Sequence, residues 1–206
     1  MRRPNADHLS QAWRVHSLAE DFDLLDVWRF PIRARHEIPF EMFLDFLEHN
    51  QAELREGPGL AAWLFRLRAW LGSIFGWDEE TTQPPATSPD SVSHRLARDD
   101  LAASGMRPER ERAALPFTTV YRTEHERLDE IQNATVHALM HLGRVDVDGG
   151  WSPQMAVYVK RKGALGRFYM ALIGPFRHAI VYPAMMRAAE RGWPRFLAER
   201  QGPNAG

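Results

Sequence analysis

Cysteine is absent from the 206 residues, which excludes disulfides, thiolate nucleophiles and cysteine-ligated metal sites. Lysine is confined to Lys160 and Lys162, every other cation being arginine, a bias that points to a GC-rich bacterial host and not to a function. Neither charge sign dominates. The 26 Lys and Arg are interleaved with 27 Asp and Glu for a formal net charge of -1. A nucleic-acid face requires clustered cations, so no nucleic-acid partner is expected. Long apolar runs are also missing. The longest in the C-terminal part, 168–176 and 179–186, are split by Arg177-His178, whereas a bilayer span needs about 20 apolar residues. No transmembrane segment is expected. The basic start Met-Arg-Arg-Pro is followed by no apolar signal core, so a cytoplasmic protein is expected. Gly-x-Ser-x-Gly, a phosphate-binding loop, Gly-x-Gly-x-x-Gly and His-Glu-x-x-His are all lacking, and nothing in the chain asks for a cofactor or a metal.

What remains is an ordinary globular composition, 44% apolar and 26% charged, in a chain suited to one core. Leu24-Leu-Asp-Val-Trp-Arg-Phe-Pro31 reads as a first strand closed by proline, fit for an edge or an end. From Pro39, the spacing of Phe40, Phe43, Leu44 and Leu47 predicts a helix with proline in its first turn. A second helix follows over 60–75, where Leu60, Trp63, Leu64, Leu67, Leu71, Ile74 and Phe75 share a stripe that stops at Gly76. Residues 79–116, rich in Pro, Ser and Thr, read as a long irregular loop or lid.

From Phe117 to Arg161 the chain turns to strands, with Asn133 and Asp148-Gly-Gly150 marking corners, and the short connections imply antiparallel pairing. A long apolar helix is then expected over 166–190, bent after Gly174 by Pro175 and Pro183. The order of elements predicts an α+β domain with helices gathered on one side of a sheet. Residues 1–12 are expected to be a flexible N-terminus, 13–193 a single domain, and 194–206 a flexible tail.

Four stretches carry a family likeness: 64–77 (LFRLRAWLGSIFGW), 115–121 (LPFTTVY), 135–143 (TVHALMHLG) and 166–183 (GRFYMALIGPFRHAIVYP). Together they resemble the bacterial domain-of-unknown-function family 2867, grouped with the START-like, Bet v 1-like or polyketide cyclase-like helix-grip proteins. The resemblance implies an antiparallel sheet curled around a long C-terminal helix, two further helices after the first strand, and an apolar cavity between sheet and helix. It implies a fold and assigns no reaction.

Candidate site residues follow from which side chains could reach such a cavity. His137 and His141 are four apart on a predicted strand, roughly 13 Å between Cα atoms, too far to share one metal ion comfortably. They lie with Leu139 on one face, opposite Val136, Ala138, Met140 and Leu142. That face either lines the cavity, where the imidazoles bind a ligand's polar group, or makes structural contacts. Arg177 and His178 interrupt an apolar helix. They point either outward, pairing with acids of the loop, or to the cavity mouth, where Arg167 joins them from the start of the helix. Tyr121, Tyr158 and Tyr169, with Tyr182, offer hydroxyls to a buried ligand.

The leading expectation is a carrier of a small apolar or amphipathic molecule held between sheet and C-terminal helix. A cyclase- or hydratase-type enzyme using a cavity histidine or tyrosine is the second. A protein-protein interaction module is the third, pairing as a homodimer or with a dehydrogenase-like partner.

Overall fold

A computed structural model describes residues 1–56, 88–96, 117–132, 136–161, 174–175 and 177–201. The predicted helix at 60–75 and most of the predicted loop lie outside these residues. The described elements are α1 (Asn5–Leu9), α2 (Val15–Leu18), β1 (Asp23–Arg29), α3 (Phe40–Glu56), β2 (Thr118–Arg122), β3 (Glu126–Gln132), β4 (Val136–Val147), β5 (Gly150–Arg161) and α4 (Tyr182–Gln201). A 3-10 turn, Val92–Arg95, and a π-helical turn, Arg177–Val181, complete them.

The five strands form one antiparallel sheet in the order β1-β5-β4-β3-β2, so the hairpins β2 to β5 lie side by side and β1 closes back against β5. The long central hairpin turns through Asp148 and Gly149, with Val147 paired to Gly150. Gly149 has φ 76°, the left-handed region where a side chain costs about 1–2 kcal/mol. Gly150 is constrained differently. A Cβ there would stand 2.0 Å from the carbonyl oxygen of Ala34, which pairs with Trp151. β1 is an edge strand, as its terminal proline predicts, and its free edge is paired with the N-terminus: Arg3 N–H donates to Val27 O and Arg29 N–H to Met1 O, both at 2.8 Å.

Both faces of the sheet are covered. On one, the predicted stripe of α3 meets α4, and Phe43 and Phe46 lie 6.3 and 5.5 Å from the ring of Trp193. Phe30, Leu142, Trp151 and Met155 of the sheet side join Met186, Ala189 and Phe196 in this cluster. On the other, α1, α2 and the turn at Val92 cover the sheet, burying Val15, Leu18, Phe22, Val27, Leu128, Leu139 and Ala156. The expectation of helices on one side only is therefore corrected. A two-faced sheet is filled on both sides because its residues alternate.

The ends of the chain also differ from expectation. Residues 1–12 include α1 and place His8 at 0% exposure. The last helix continues to Gln201 with Phe196 buried, past the expected boundary at 193. α4 itself begins at Tyr182, and Pro183, lacking an N–H, sits in its first turn, where none is needed. Pro194 is tolerated inside α4 because it lies on the exposed side.

Phe43→Ala is expected to lower stability by about 3–5 kcal/mol through the cavity it leaves. Leu9→Ser, at a site 58% exposed, should stay within about 0.5 kcal/mol. Urea unfolding of the two variants beside the parent protein checks both.

Candidate functional site

β1 carries a bulge. Asp26 is in register with Val157 but Leu24 with Tyr158, which leaves Leu25 as the extra residue. Such bulges re-aim side chains, and here Asp26 is directed into the seam between the sheet and the beginning of α4. It is 1% exposed. An isolated carboxylate at that depth would be very costly, so it requires partners. The π-helical turn supplies them. Arg177 Nη2 stands 3.1 Å from Asp26 Oδ2, His178 Nε2 donates to Asp26 Oδ1, and the Tyr182 hydroxyl donates to Oδ2 at 3.4 Å. One turn of π-helix spaces Arg177, His178 and Tyr182 around a single carboxylate, in keeping with the frequent placement of such turns at functional sites.

His178 keeps 34% of its side chain exposed, whereas Asp26 is sealed. Trp28 lies 5.0 Å from the Tyr182 ring on the same face. Two buried donors in this region, Trp28 Nε1 and Arg177 Nε, have no hydrogen-bond partner among the described residues. Burial, and to a lesser degree Asp26, pushes the Tyr182 hydroxyl up, against the opposing effect of Arg177, and keeps it a neutral donor. With the Nε2 proton fixed on Asp26, the basic nitrogen of His178 is Nδ1. The group can bind a polar head and can exchange a proton with it.

The opposite face of the sheet holds a second polar assembly. His137, Leu139 and His141 share a face, as the alternation predicts, and the β3–β4 register places Glu126, Leu128 and Glu130 beside them. Glu126 accepts from the Tyr121 hydroxyl at 2.8 Å, from His141 Nε2 at 2.9 Å and from the Arg14 N–H at 3.1 Å. Glu130 accepts from Ser91 Oγ at 2.6 Å, from the Val92 N–H at 3.0 Å and from His137 Nε2 at 2.6 Å. Burial would raise both carboxyls, but these hydrogen bonds outweigh it and hold both below the usual range. Burial, then Glu126, pushes up the hydroxyls of Tyr121 and Tyr158. Above them sits His8. Burial is the largest influence on it, followed by His141 and His16, and lowers its pKa to about 2.

The eight candidates therefore divide. Tyr121, His137, His141 and Tyr158 lie on the face turned toward the N-terminal segment, so they do not look into the space between sheet and C-terminal helix. Arg177 and His178 do lie at that space, where both pair with Asp26 of β1. Arg167 and Tyr169 lie outside the described residues. Sequence reasoning missed Asp26, Glu126, Glu130 and His8. Asp26 had a signal, as an acid flanked by Leu24, Leu25, Val27 and Trp28. Glu126 and Glu130 had another, a period-two acid pattern that matches His137 and His141 across a hairpin. Among the described residues no group of three or more His, Asp or Glu is arranged to hold a metal ion, and no helix is long and apolar enough to cross a membrane. The exposed large apolar side chains among them are Met1, Leu9 and Val181.

The fold and site define an α+β domain with a five-stranded antiparallel sheet, a C-terminal helix, and a buried carboxylate at their junction. The chain belongs to the protein family of unknown function 2867, whose model matches residues 18–184. No curated protein and no solved structure matches it.

Because Glu130 is held low in the folded state, it stabilises the fold above about pH 4.5, and that contribution is lost as pH falls through its lowered value. Glu130→Gln should cost about 1–3 kcal/mol at pH 7 and should cost less at pH 4. Urea unfolding at the two pH values tests this.

Proposed function

We propose that this protein is a helix-grip domain that binds a small amphipathic molecule in the seam between the sheet and α4. The ligand's polar end meets Asp26, Arg177, His178 and Tyr182. The observation that carries the reading is that two buried donors, Trp28 Nε1 and Arg177 Nε, have no partner among the described residues, while His178, next in sequence to Arg177, reaches solvent. Buried donors without acceptors cost about 1–3 kcal/mol each, and a ligand with an acceptor at its polar end recovers that cost. The aromatic and aliphatic wall next to them, Trp28, Tyr182 and Met186, suits its apolar body. The strand order, with β1 against the last strand and a helix following, supports the helix-grip assignment.

A second reading uses the same residues as an acid-base enzyme of cyclase or hydratase type. It is favoured by the Asp26–His178 pair, which leaves one imidazole nitrogen basic and accessible, with Tyr182 as a neutral proton donor. The carrier and the enzyme differ in whether the bound molecule leaves unchanged.

Native mass spectrometry of full-length protein, compared with its denatured mass, should reveal a small molecule of fixed mass. Trp28→Phe removes one unpartnered donor and keeps the ring. It is expected to lower stability by about 1 kcal/mol or more through the small cavity it leaves and, in protein that is still folded, to reduce occupancy about fivefold, as loss of one hydrogen bond of about 1 kcal/mol predicts. Equal occupancy in parent and variant would remove Trp28 from the site, and a chain with no bound molecule would count against carriage. Incubating the released molecule with the protein and with His178→Gln separates the readings. Turnover by the parent alone supports the enzyme.

A further inference from the structure

Residues 1–17 precede the family match, which begins at residue 18, yet they cover the polar face that the family region supplies. Of these residues only His8 and Val15 are fully buried. Few apolar contacts hold the segment, which places it at the low end of local stability. Polar contacts hold it instead, and they form a chain of determined direction. Arg29 Nη2 donates to Gln154 Oε1 at 2.9 Å, which orients the amide. Gln154 Nε2 then donates to His8 Nδ1 at 3.1 Å. His8 must therefore carry its hydrogen on Nε2, and it donates to the Tyr158 hydroxyl at 2.9 Å. Tyr158 passes its own hydrogen to His16 Nδ1 at 3.2 Å, and His16 Nε2 donates to Gln11 O at 3.1 Å. In this chain His8 cannot take up a proton without losing the bond its acceptor nitrogen makes.

Beneath the segment lies the Glu126–His141 pair. Glu126 receives the hydrogen of His141 Nε2, so the basic nitrogen is Nδ1, which is buried and has no partner among the described residues. The Trp13 and His8 rings each lie 5.1 Å from the His141 ring. Gly143 makes room for this stack, since a Cβ there would stand 2.9 Å from both His141 Cε1 and the Trp13 ring. The Arg14 N–H caps Glu126 from the same segment.

We infer that residues 1–17 form a strap closed over a second acid-base pair, Glu126 and His141, and that acidification releases the strap. The groups around His8 give it no compensation. Gln154 and Tyr158 of β5 are neutral, and His16 of α2 and His141 of β4 lie 5.1 Å away by ring centre. Arg29 of β1 and Arg14 are cations, and Asp7 of α1 is paired with Arg3. Glu126 of β3 is the near carboxylate, and its oxygens already serve His141, Tyr121 of β2 and Arg14; Asp129 of β3 is occupied by Arg127. Burial holds His8 and His141 below the ordinary histidine value, and both become free to bind protons when the strap lifts. The closed form is thus at full strength above about pH 6.5. Closure weakens as pH falls, by about tenfold per pH unit for each histidine.

Hydrogen exchange of the full-length protein between pH 7.5 and 5.0, corrected for intrinsic rates, tests the inference. Protection of the strap should fall at least tenfold between pH 6.5 and 5.5 while α4 keeps its own. His8→Gln retains an acceptor and a donor but does not titrate, and it should make that slope shallower, leaving the part His141 contributes. The inference is overturned if strap and α4 lose protection together, if strap protection is flat with pH, or if His8→Gln leaves the slope unchanged. Should the variant not fold, the slope of the parent protein decides.

Discussion

β4 runs through the middle of a sheet that is covered on both sides, and most of the structure follows from that placement. Its residues alternate between two interiors, so the polar phase of the strand cannot be left to water. Met140 and Leu142 meet the aromatic cluster of α3 and α4. His137 and His141 face the other way, and each is matched by a carboxylate of β3. A buried imidazole without an acceptor, or a buried carboxylate without donors, would cost more than one packed side chain returns. The two Glu-His pairs are thus a condition for closing that face, and the N-terminal segment is the part that closes it.

The other face also buries polar groups: Arg127 and Asp129 of β3 pair with each other and Arg127 with Glu48 of α3, and for Asp26 the same reasoning has a different outcome. Its partners are not a neighbouring strand but the turn that leads into α4. Arg177 balances its charge, and His178 and Tyr182 hydrogen-bond to it. Removing one member of such a buried pair costs more than the pair contributes, so the arrangement fixes where α4 begins against β1. It also places a carboxylate, a guanidinium, an imidazole and a phenol together in an apolar seam. Structural anchoring explains Asp26 fully. It leaves Trp28 Nε1 and Arg177 Nε without a partner among the described residues, and the proposed ligand would supply one.

Much of this architecture was legible. The apolar spacing of residues 40–47, the Asp-Gly corner and the alternation around His137 and His141 each correspond to an observed element, because each is a local pattern. What was not legible depends on distant partners. A strand's sequence tells that it has two faces, not which element covers each. The choice between a cavity-facing and a structural role for His137 and His141, which the sequence left open, depends on the placement of residues 1–22. Asp26 meets His178 from 152 positions away, and His8 meets Tyr158 from 150. Nothing in Met-Arg-Arg-Pro-Asn-Ala-Asp-His distinguishes a loose terminus from one that seats a neutral histidine in the core.

The central claim, that function resides in the seam at Asp26 and not on the polar face, is tested most directly by a crystal structure of protein that still carries its co-purified material. The account predicts non-protein density along α4 that ends within hydrogen-bonding distance of Trp28 Nε1 or Arg177 Nε. Side chains of the protein itself occupying that seam and accepting from both donors would contradict it.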